Sequence, residues 1–446
     1  MNTPILDFVN NYAEQNTLRL HMPGHKGKEF IGNEKYDITE IDGADVLYLN
    51  KGIILESQEN ARNLFKTGKT LYSTEGSSLS IRAMIYLASI YAKSKNEKTT
   101  ILAMRNAHKS FMNAVAMLDA DVEWIYPSDD DGLISCKIQA DELEKIILSL
   151  DKKPTALYVT SPDYLGNIAD IEGYSKICKK HNMLLLVDNA HGAYLAFSSK
   201  LKHPIMLGAD ITCDSAHKTL PVITGGGYLH ISKEAPKIIL DMAETAMQIF
   251  ASTSPSYLIL SSLDNFNKLA NDFKNKLAKA ENAILNLKNE LSVIGFQFTG
   301  NEPLKLTIMT KSYGYTGDEI AAYLLKNNIV CEFCDKDFLV MMFSPFMEEN
   351  ELEKLKNVLL NLPKKSVNFE NPPKLTKTKK VMSIKDAIMS PSKEMKVCDT
   401  LGMTLASSSL SCPPAIPIVI AGEKIDENAL ALFKYYNIET CRVVLD

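Results

Sequence analysis

The chain has 446 residues, 46% hydrophobic and 23% charged, with a formal net charge of −5. That length exceeds a single core and predicts two or three domains, and the ordinary composition excludes disordered, collagen-like and coiled-coil chains as the main class. The charge gives no global reason to bind nucleic acid or an anionic membrane, and no apolar run approaches the length that crosses a bilayer.

The start, Met1 to Gln15, has no basic stretch followed by an apolar core, so no signal peptide is expected. Eight cysteines show no pairing rhythm, which fits a cytoplasmic protein with reduced thiols. Cys331 and Cys334 have metal-ligand spacing, but no second pair lies nearby, so no metal is expected.

In chain order, Gly76-Ser77-Ser78 opens a helix-like run, "LSIRAMIYLASIYA". Residues Thr100 to Ala103 read as a strand and Asp141 to Leu150 as a helix with apolar positions at helical spacing. Ala156 to Thr160 is a strand, Glu172 to His181 a helix, and Met183 to Val187 a strand apolar on both faces. Ala209 to Cys213 reads as a further strand. Continuous apolar strands separated by helices predict an α/β fold whose mostly parallel sheet is covered on both sides. A periodic segment from about Ser256 to Leu291 leads to a smaller α+β domain. There Leu304 to Met309 and Phe338 to Phe343 read as strands, Asp318 to Lys326 and Glu351 to Leu362 as helices. The Pro- and Lys-containing stretch Pro363 to Lys380 reads as a solvated linker before a short C-terminal module. The expected domains are residues 1–255, 256–365 and 366–446.

In open α/β sheets ligands collect at the carboxyl ends of the strands. Reactive residues follow all four strands predicted in the first domain: Arg105 to Ser110, Ser161 to Gly166, Asp188 to Gly192 and Asp214 to Leu220, the last reading "DSAHKTL". A lysine amine can condense with an aldehyde, and pyridoxal phosphate is the commonest aldehyde held this way. A protein that holds it on Lys218 also needs a carboxylate for the pyridine nitrogen, and Asp188 is the candidate. It needs a flat group over the ring, for which His108 could serve. It needs phosphate donors at a helix start, and Ser77, Ser78, Ser215 and His217 are available. A serine pair before a helix is more often a simple cap, so it carries weight only within the set.

Seven ordered motifs extend this: "RLHMPGHKG" from Arg19, "EGSS" from Glu75, "RNAHKS" from Arg105, "VDNAHGA" from Val187, "SAHKTLP" from Ser215, "STSPSYLILSSLD" from Ser252 and "CPPAIP" from Cys412. With them the chain resembles, over nearly its whole length, the Orn/Lys/Arg decarboxylases of the aspartate-aminotransferase fold, in their compact Gram-positive form. The resemblance implies a seven-stranded pyridoxal phosphate domain with Lys218 carrying the cofactor. Asp188 would pair with the pyridine nitrogen, and His108 would stack on one ring face with Ala190 on the other. Ser77, Ser78, Ser215 and His217 would hold the phosphate, and Thr253 or Ser254 would reach that of a neighbouring subunit in a homodimer with interfacial sites. Lys218 or His191 would return the proton to Cα. The product would be a di- or polyamine such as cadaverine, putrescine or agmatine, depending on the substrate.

Several positions depart from the family pattern. Asn189 and Tyr194 replace an acidic residue and a histidine, Glu75 replaces the asparagine before the phosphate serines, and Cys412 and Ala415 replace a tyrosine and a glycine. These bear on the expected substrate and rate. Another reaction on the same fold, transamination or a lyase step, is an alternative, as is a non-catalytic cofactor-binding homologue. Against transamination, residues Glu302 to Leu362 contain no arginine to hold an α-carboxylate. His21 and His25 are open between a place near the site and simple packing, while His203 and His230 read as structural.

Overall fold

The computed structural model describes residues 1–128, 132–367, 370–407 and 415–445. Cys412 lies outside the described residues. The main sheet has seven strands: β1 (Lys69–Ser73), β2 (Thr100–Met104), β3 (Asp121–Ile125), β4 (Ala156–Thr160), β5 (Leu184–Asp188), β6 (Ile211–Asp214) and β7 (Gly227–Ile231). Their order is β1-β7-β6-β5-β4-β2-β3. β2 pairs with β3 and β5 with β6 in parallel, whereas β7 is antiparallel to both β1 and β6. The expected α/β class with a mostly parallel, seven-stranded sheet is therefore what the chain forms.

The four apolar runs coincide with β2, β4, β5 and β6. β1, β3 and β7 escape a reading by apolar runs because each is interrupted. β1 begins Lys-Thr, β3 alternates Asp, Val and Glu, and β7 contains Gly227 and His230. Every residue of β7 is nonetheless buried, so its histidine needs internal partners.

The helices of this part are α1 (Pro4–Glu14), α2 (Gly52–Phe65), α3 (Gly76–Ser94), α4 (Lys109–Leu118), α5 (Ala140–Ser149), α6 (Ile171–Lys180) and the single turn α7 (Ala216–Thr219). The periodic segment after Ser256 is one 37-residue helix, Tyr257–Val293.

The chain forms two compact units that alternate along the sequence. The first comprises Met1–Thr99, Lys153–Val159 and Ile171–Asn275, the second Thr100–Lys152, Thr160–Asp170 and Lys276–Asp446.

In the first unit Asp264 takes the backbone N–H groups of Ile5 and Leu6 at 2.9 and 3.0 Å, satisfying the start of α1, which has no cap of its own. Phe65, at the end of α2, packs edge-on against Phe197 and His203 and tilted against Tyr228 and His230. Within "RLHMPGHKG", Arg19 donates to the Lys35 carbonyl at 2.8 Å and lies over the Tyr12 ring. A Cβ on Gly27, whose φ is +75°, would meet that guanidinium at 2.6 Å, which accounts for the glycine.

In the second unit a four-stranded antiparallel sheet has the order β10 (Phe333–Cys334), β11 (Phe338–Met342), β9 (Lys305–Met309), β8 (Phe298–Thr299). Helices Gly317–Lys326 and Glu349–Leu360 complete the α+β pattern predicted there. The last portion pairs β12 (Ser392–Lys396) with β13 (Thr440–Val444) and adds helix Glu427–Tyr435. Its core runs through Val419, Phe433 and Val443. Arg105, 1% exposed, donates to the carbonyls of Pro417 and Ile418 at 2.7 and 2.9 Å. Among the described residues no helix is long and apolar enough to cross a membrane.

Candidate active site

The site grows from the carboxyl ends of β5 and β6 in the first unit. Lys218 stands on α7 and is exposed. Its Nζ lies 3.1 Å from Nε2 of buried His191, three residues beyond β5.

Asp188 ends β5 and is 2% exposed. A buried carboxylate needs donors. The Tyr158 hydroxyl donates to Oδ2 at 3.0 Å, and Oδ1 takes the Ala190 N–H at 3.2 Å and faces the Cys213 thiol at 3.5 Å. Cys213 is there because the parallel register sets Asp188 opposite it. Burial above all, with the nearby Asp188 charge adding to it, holds both the Tyr158 hydroxyl and the Cys213 thiol far above their ordinary pKa values. Both therefore remain proton donors. Neither residue stands out in the sequence. A tyrosine inside the apolar strand "ALYVT" was the available signal, since its buried hydroxyl requires a partner.

The phosphate-binding candidates also meet in this unit. Ser215 donates its hydroxyl to that of Ser77 at 2.9 Å, with both residues buried. Ser78 is half-buried one residue further along α3. The start of α3 has no side-chain cap, and the positive end of a helix favours an anion there. Glu75 does not occupy that position. Its Oε1 accepts the Ser252 N–H at 2.9 Å, and its Oε2 lies 3.5 Å from Arg82. Ser252, Thr253 and Ser254 are exposed beside it.

The glycine run after Lys218 makes this cup possible. The Gly76 N–H donates to the Gly225 carbonyl at 2.6 Å, and a Cβ on Gly227 would lie 2.8 Å from the Asp214 carbonyl oxygen and 3.0 Å from the Gly76 carbonyl carbon. His217 donates from Nδ1 to the Gly226 carbonyl at 2.8 Å. Burial lowers its pKa, so the ring is neutral and its Nε2 donates only once protonated.

His108 belongs to the second unit, where it caps α4 by accepting the Ser110 N–H on Nδ1 at 3.1 Å. His21 and His25 are engaged within the N-terminal segment, His21 with Tyr12 at 2.6 Å and His25 with Asp37 at 3.2 Å. Asn189 and Tyr194 are buried.

An uncapped helix start, a buried hydroxyl pair, a lysine and a buried carboxylate with proton-donating neighbours suit a phosphorylated aldehyde that carries a protonatable ring nitrogen. Fold and site together define a lysine-centred α/β enzyme. The family model for the Orn/Lys/Arg decarboxylase major domain matches residues 3–295, and the chain belongs to that family. An arginine decarboxylase of Halalkalibacterium halodurans is 30% identical, with 98% of this chain and 93% of that protein aligned. One of Bacillus subtilis is 28% identical, over 97% and 93%. Among solved structures, the lysine decarboxylase LdcF of Francisella novicida superposes with a TM-score of 0.80 at 19% identity, over 99% of this chain and 81% of that one. A NifS-like protein shares the fold more distantly, with a TM-score of 0.56. The chain is thus a decarboxylase of a basic amino acid, which answers the transaminase, lyase and non-catalytic alternatives.

Proposed function

We propose that the protein is a pyridoxal phosphate-dependent arginine decarboxylase, active as a homodimer in the cytoplasm. The observation that carries the cofactor assignment is the approach of Lys218 Nζ to His191 Nε2 in the unit that also holds buried Asp188. The arginine assignment is supported by the names of the two relatives, each aligned over nearly the whole chain.

When bound, pyridoxal phosphate supplies the electron sink for the pair left by departing carbon dioxide. Lys218 supplies the amine that holds it and later releases the product. Asp188 would keep a proton on the ring nitrogen, and Tyr158 and Cys213 hold Asp188 in place. Ser77, Ser215 and the N-terminal end of α3 would hold the phosphate, joined by Ser78 and by His217 once protonated. Lys218 and His191 share a proton between Nζ and Nε2, and that pair delivers it to the substrate Cα. Ala190, two residues beyond Asp188, would pack against the ring, a role that rests on the family resemblance. His108 enters this reading as the stacking group through the family resemblance alone.

The dimer is supported by the apolar side chains that the N-terminal segment exposes. Leu18, Leu20, Phe30 and Ile31 are each more than three-quarters exposed in the single chain, an arrangement typical of a surface covered by a partner. Exposed Thr253 and Ser254 are the residues this reading places at the partner's phosphate.

The test has two arms. Borohydride reduction of the yellow protein should bleach it and leave the adduct on Lys218. Carbon dioxide release should then be measured with arginine, lysine and ornithine. An adduct on another residue overturns the cofactor assignment, and release from lysine or ornithine in preference to arginine overturns the substrate.

A further inference from the structure

On the face of the sheet opposite Asp188 lies a second polar cluster. It is made by strand alternation, because Asp188 and Cys213 point to one face while Asn189 and Asp214, each one residue on, point to the other. Asp214, Asn189, His203 and His230 are all fully buried. The Asn189 amide donates to Asp214 Oδ1 at 2.8 Å. His203 Nε2 lies 2.9 Å and His230 Nε2 3.3 Å from Asp214 Oδ2.

The Ile205 N–H approaches His203 Nδ1 at 3.3 Å, and the Thr70 hydroxyl lies 2.8 Å from His230 Nδ1. His203 Nε2 also lies 2.9 Å from Asn189 Nδ2, so the amide, the ring and the carboxylate meet at one point. Burial works to raise the Asp214 pKa, but the two neighbouring histidines outweigh it and hold that pKa well below the usual carboxylate range. The three ligand-type atoms of His203, Asp214 and His230 lie within 4.8 Å of one another, as a cation site would require. The amide nitrogen of Asn189 stands among these atoms, 2.9 Å from His203 Nε2 and 2.8 Å from Asp214 Oδ1, so a hydrogen-bond donor already faces two of the three.

We infer that Asn189 and Asp214 are a matched amide–carboxylate pair that locks the end of β5 to the end of β6 and thereby positions Asp188 and Ser215–Lys218, their chain neighbours. Two features carry this. The pair joins adjacent strand ends directly beneath the reactive groups, and the Asn189 N–H additionally donates to the Cys213 carbonyl at 3.0 Å. Among the described residues Asn189 Oδ1 is buried without a hydrogen-bond partner, so the amide is oriented through its nitrogen, which faces Asp214 Oδ1 at 2.8 Å and His203 Nε2 at 2.9 Å. The departure from an acidic residue at position 189 follows. With Asp214 present, a second carboxylate would stand against the first in a fully buried space, where both cannot remain ionised. The substitution thus acts beneath the sheet. This inference rests on the cofactor reading above.

The test compares the wild type with Asn189→Asp, Asp214→Asn and the double exchange N189D/D214N. For each, the dissociation constant for pyridoxal phosphate is titrated on the apoprotein, together with the apoprotein's thermal midpoint and metal content. N189D is expected to lose about tenfold or more in cofactor affinity, the factor that one pKa unit of like-charge repulsion represents. The double exchange restores one carboxylate and one amide and is expected to recover most of that affinity. Should N189D fail to fold, recovery of a folded, cofactor-binding double exchange still supports the pair, and its failure overturns it. A lowered thermal midpoint with unchanged cofactor affinity reduces the cluster to a structural role and overturns positioning. One equivalent of bound metal, whose removal reproduces the N189D defect, overturns the hydrogen-bonded assignment. If the wild type binds no pyridoxal phosphate, the functional reading falls, whereas a low thermal midpoint for N189D restored by the exchange still supports the matched pair.

Discussion

The Tyr158 hydroxyl donates to Oδ2 of Asp188 at 3.0 Å, from β4 to the end of β5, in a place closed to solvent. A hydrogen bond to a charged group contributes about 1.5–3 kcal/mol. Tyr158→Phe should weaken pyridoxal phosphate binding by about tenfold or more on that basis. The check is a cofactor titration, with circular dichroism to show that the fold is kept.

His191 is placed to exchange a proton with Lys218 and makes no contact assigned to the phosphate. His191→Gln should lower kcat by about 10²–10⁴, the range of general acid–base contributions, and leave cofactor affinity nearly unchanged. Steady-state kinetics beside a cofactor titration separates the two. An equal fall in affinity would make His191 a binding residue.

His217 is neutral because burial lowers its pKa, and its Nδ1 is already committed to Gly226. A phosphate against its Nε2 would favour the protonated ring and raise that pKa. The His217 ring signals should therefore titrate at higher pH in the loaded protein than in the apoprotein, as followed by NMR. No upward shift removes His217 from the phosphate contacts.

Glu34 gives a pH dependence of known sign. Its carboxylate accepts the N–H groups of Phe30, Ile31, Gly32 and Asn33. Desolvation works to raise its pKa, but the backbone donors of Ile31, Phe30 and Gly32 prevail and bring it from 4.5 to about 2. A carboxyl depressed in this way adds stability that is present in full above pH 4.5 and is lost as the pH falls through about 2. Glu34→Gln should remove that part of the acid dependence, and limited proteolysis should find residues 30–33 more readily cleaved at neutral pH.

Ala415 has φ +59°, and its carbonyl accepts the Lys109 N–H at 3.0 Å, holding the turn that begins α4. A left-handed alanine costs roughly 1–2 kcal/mol, part of which glycine returns as unfolded-state entropy. Ala415→Gly should therefore stabilise the protein by about 0.5–1 kcal/mol, read as a small rise in the thermal midpoint.

The apolar runs of β2, β4, β5 and β6 were legible because a strand covered on both faces must be apolar throughout. β1 and β7 were not, because their polar residues are satisfied by partners far away in sequence, Thr70 by His230 across 160 residues. Lys218 and Asp188 could be picked out because reactive residues gather after strands, and Ser77 because it opens a helix-like run, both signals that concern local sequence alone. Tyr158, Cys213 and the true direction of Glu75 could not, since each depends on which strand or loop is its neighbour.

By itself the sequence determined the α/β class, the family and the candidate residues for the site, because apolar periodicity and motif spacing are properties of contiguous chain. Only the tertiary structure decided what stands behind those residues. Asp188 receives its proton donors from β4 and β6, and Asn189 meets Asp214 because adjacent strands in register bring residues 25 apart to 2.8 Å. A buried charge is stabilised by whatever packs against it, and that is set by the sheet order and not by proximity along the chain.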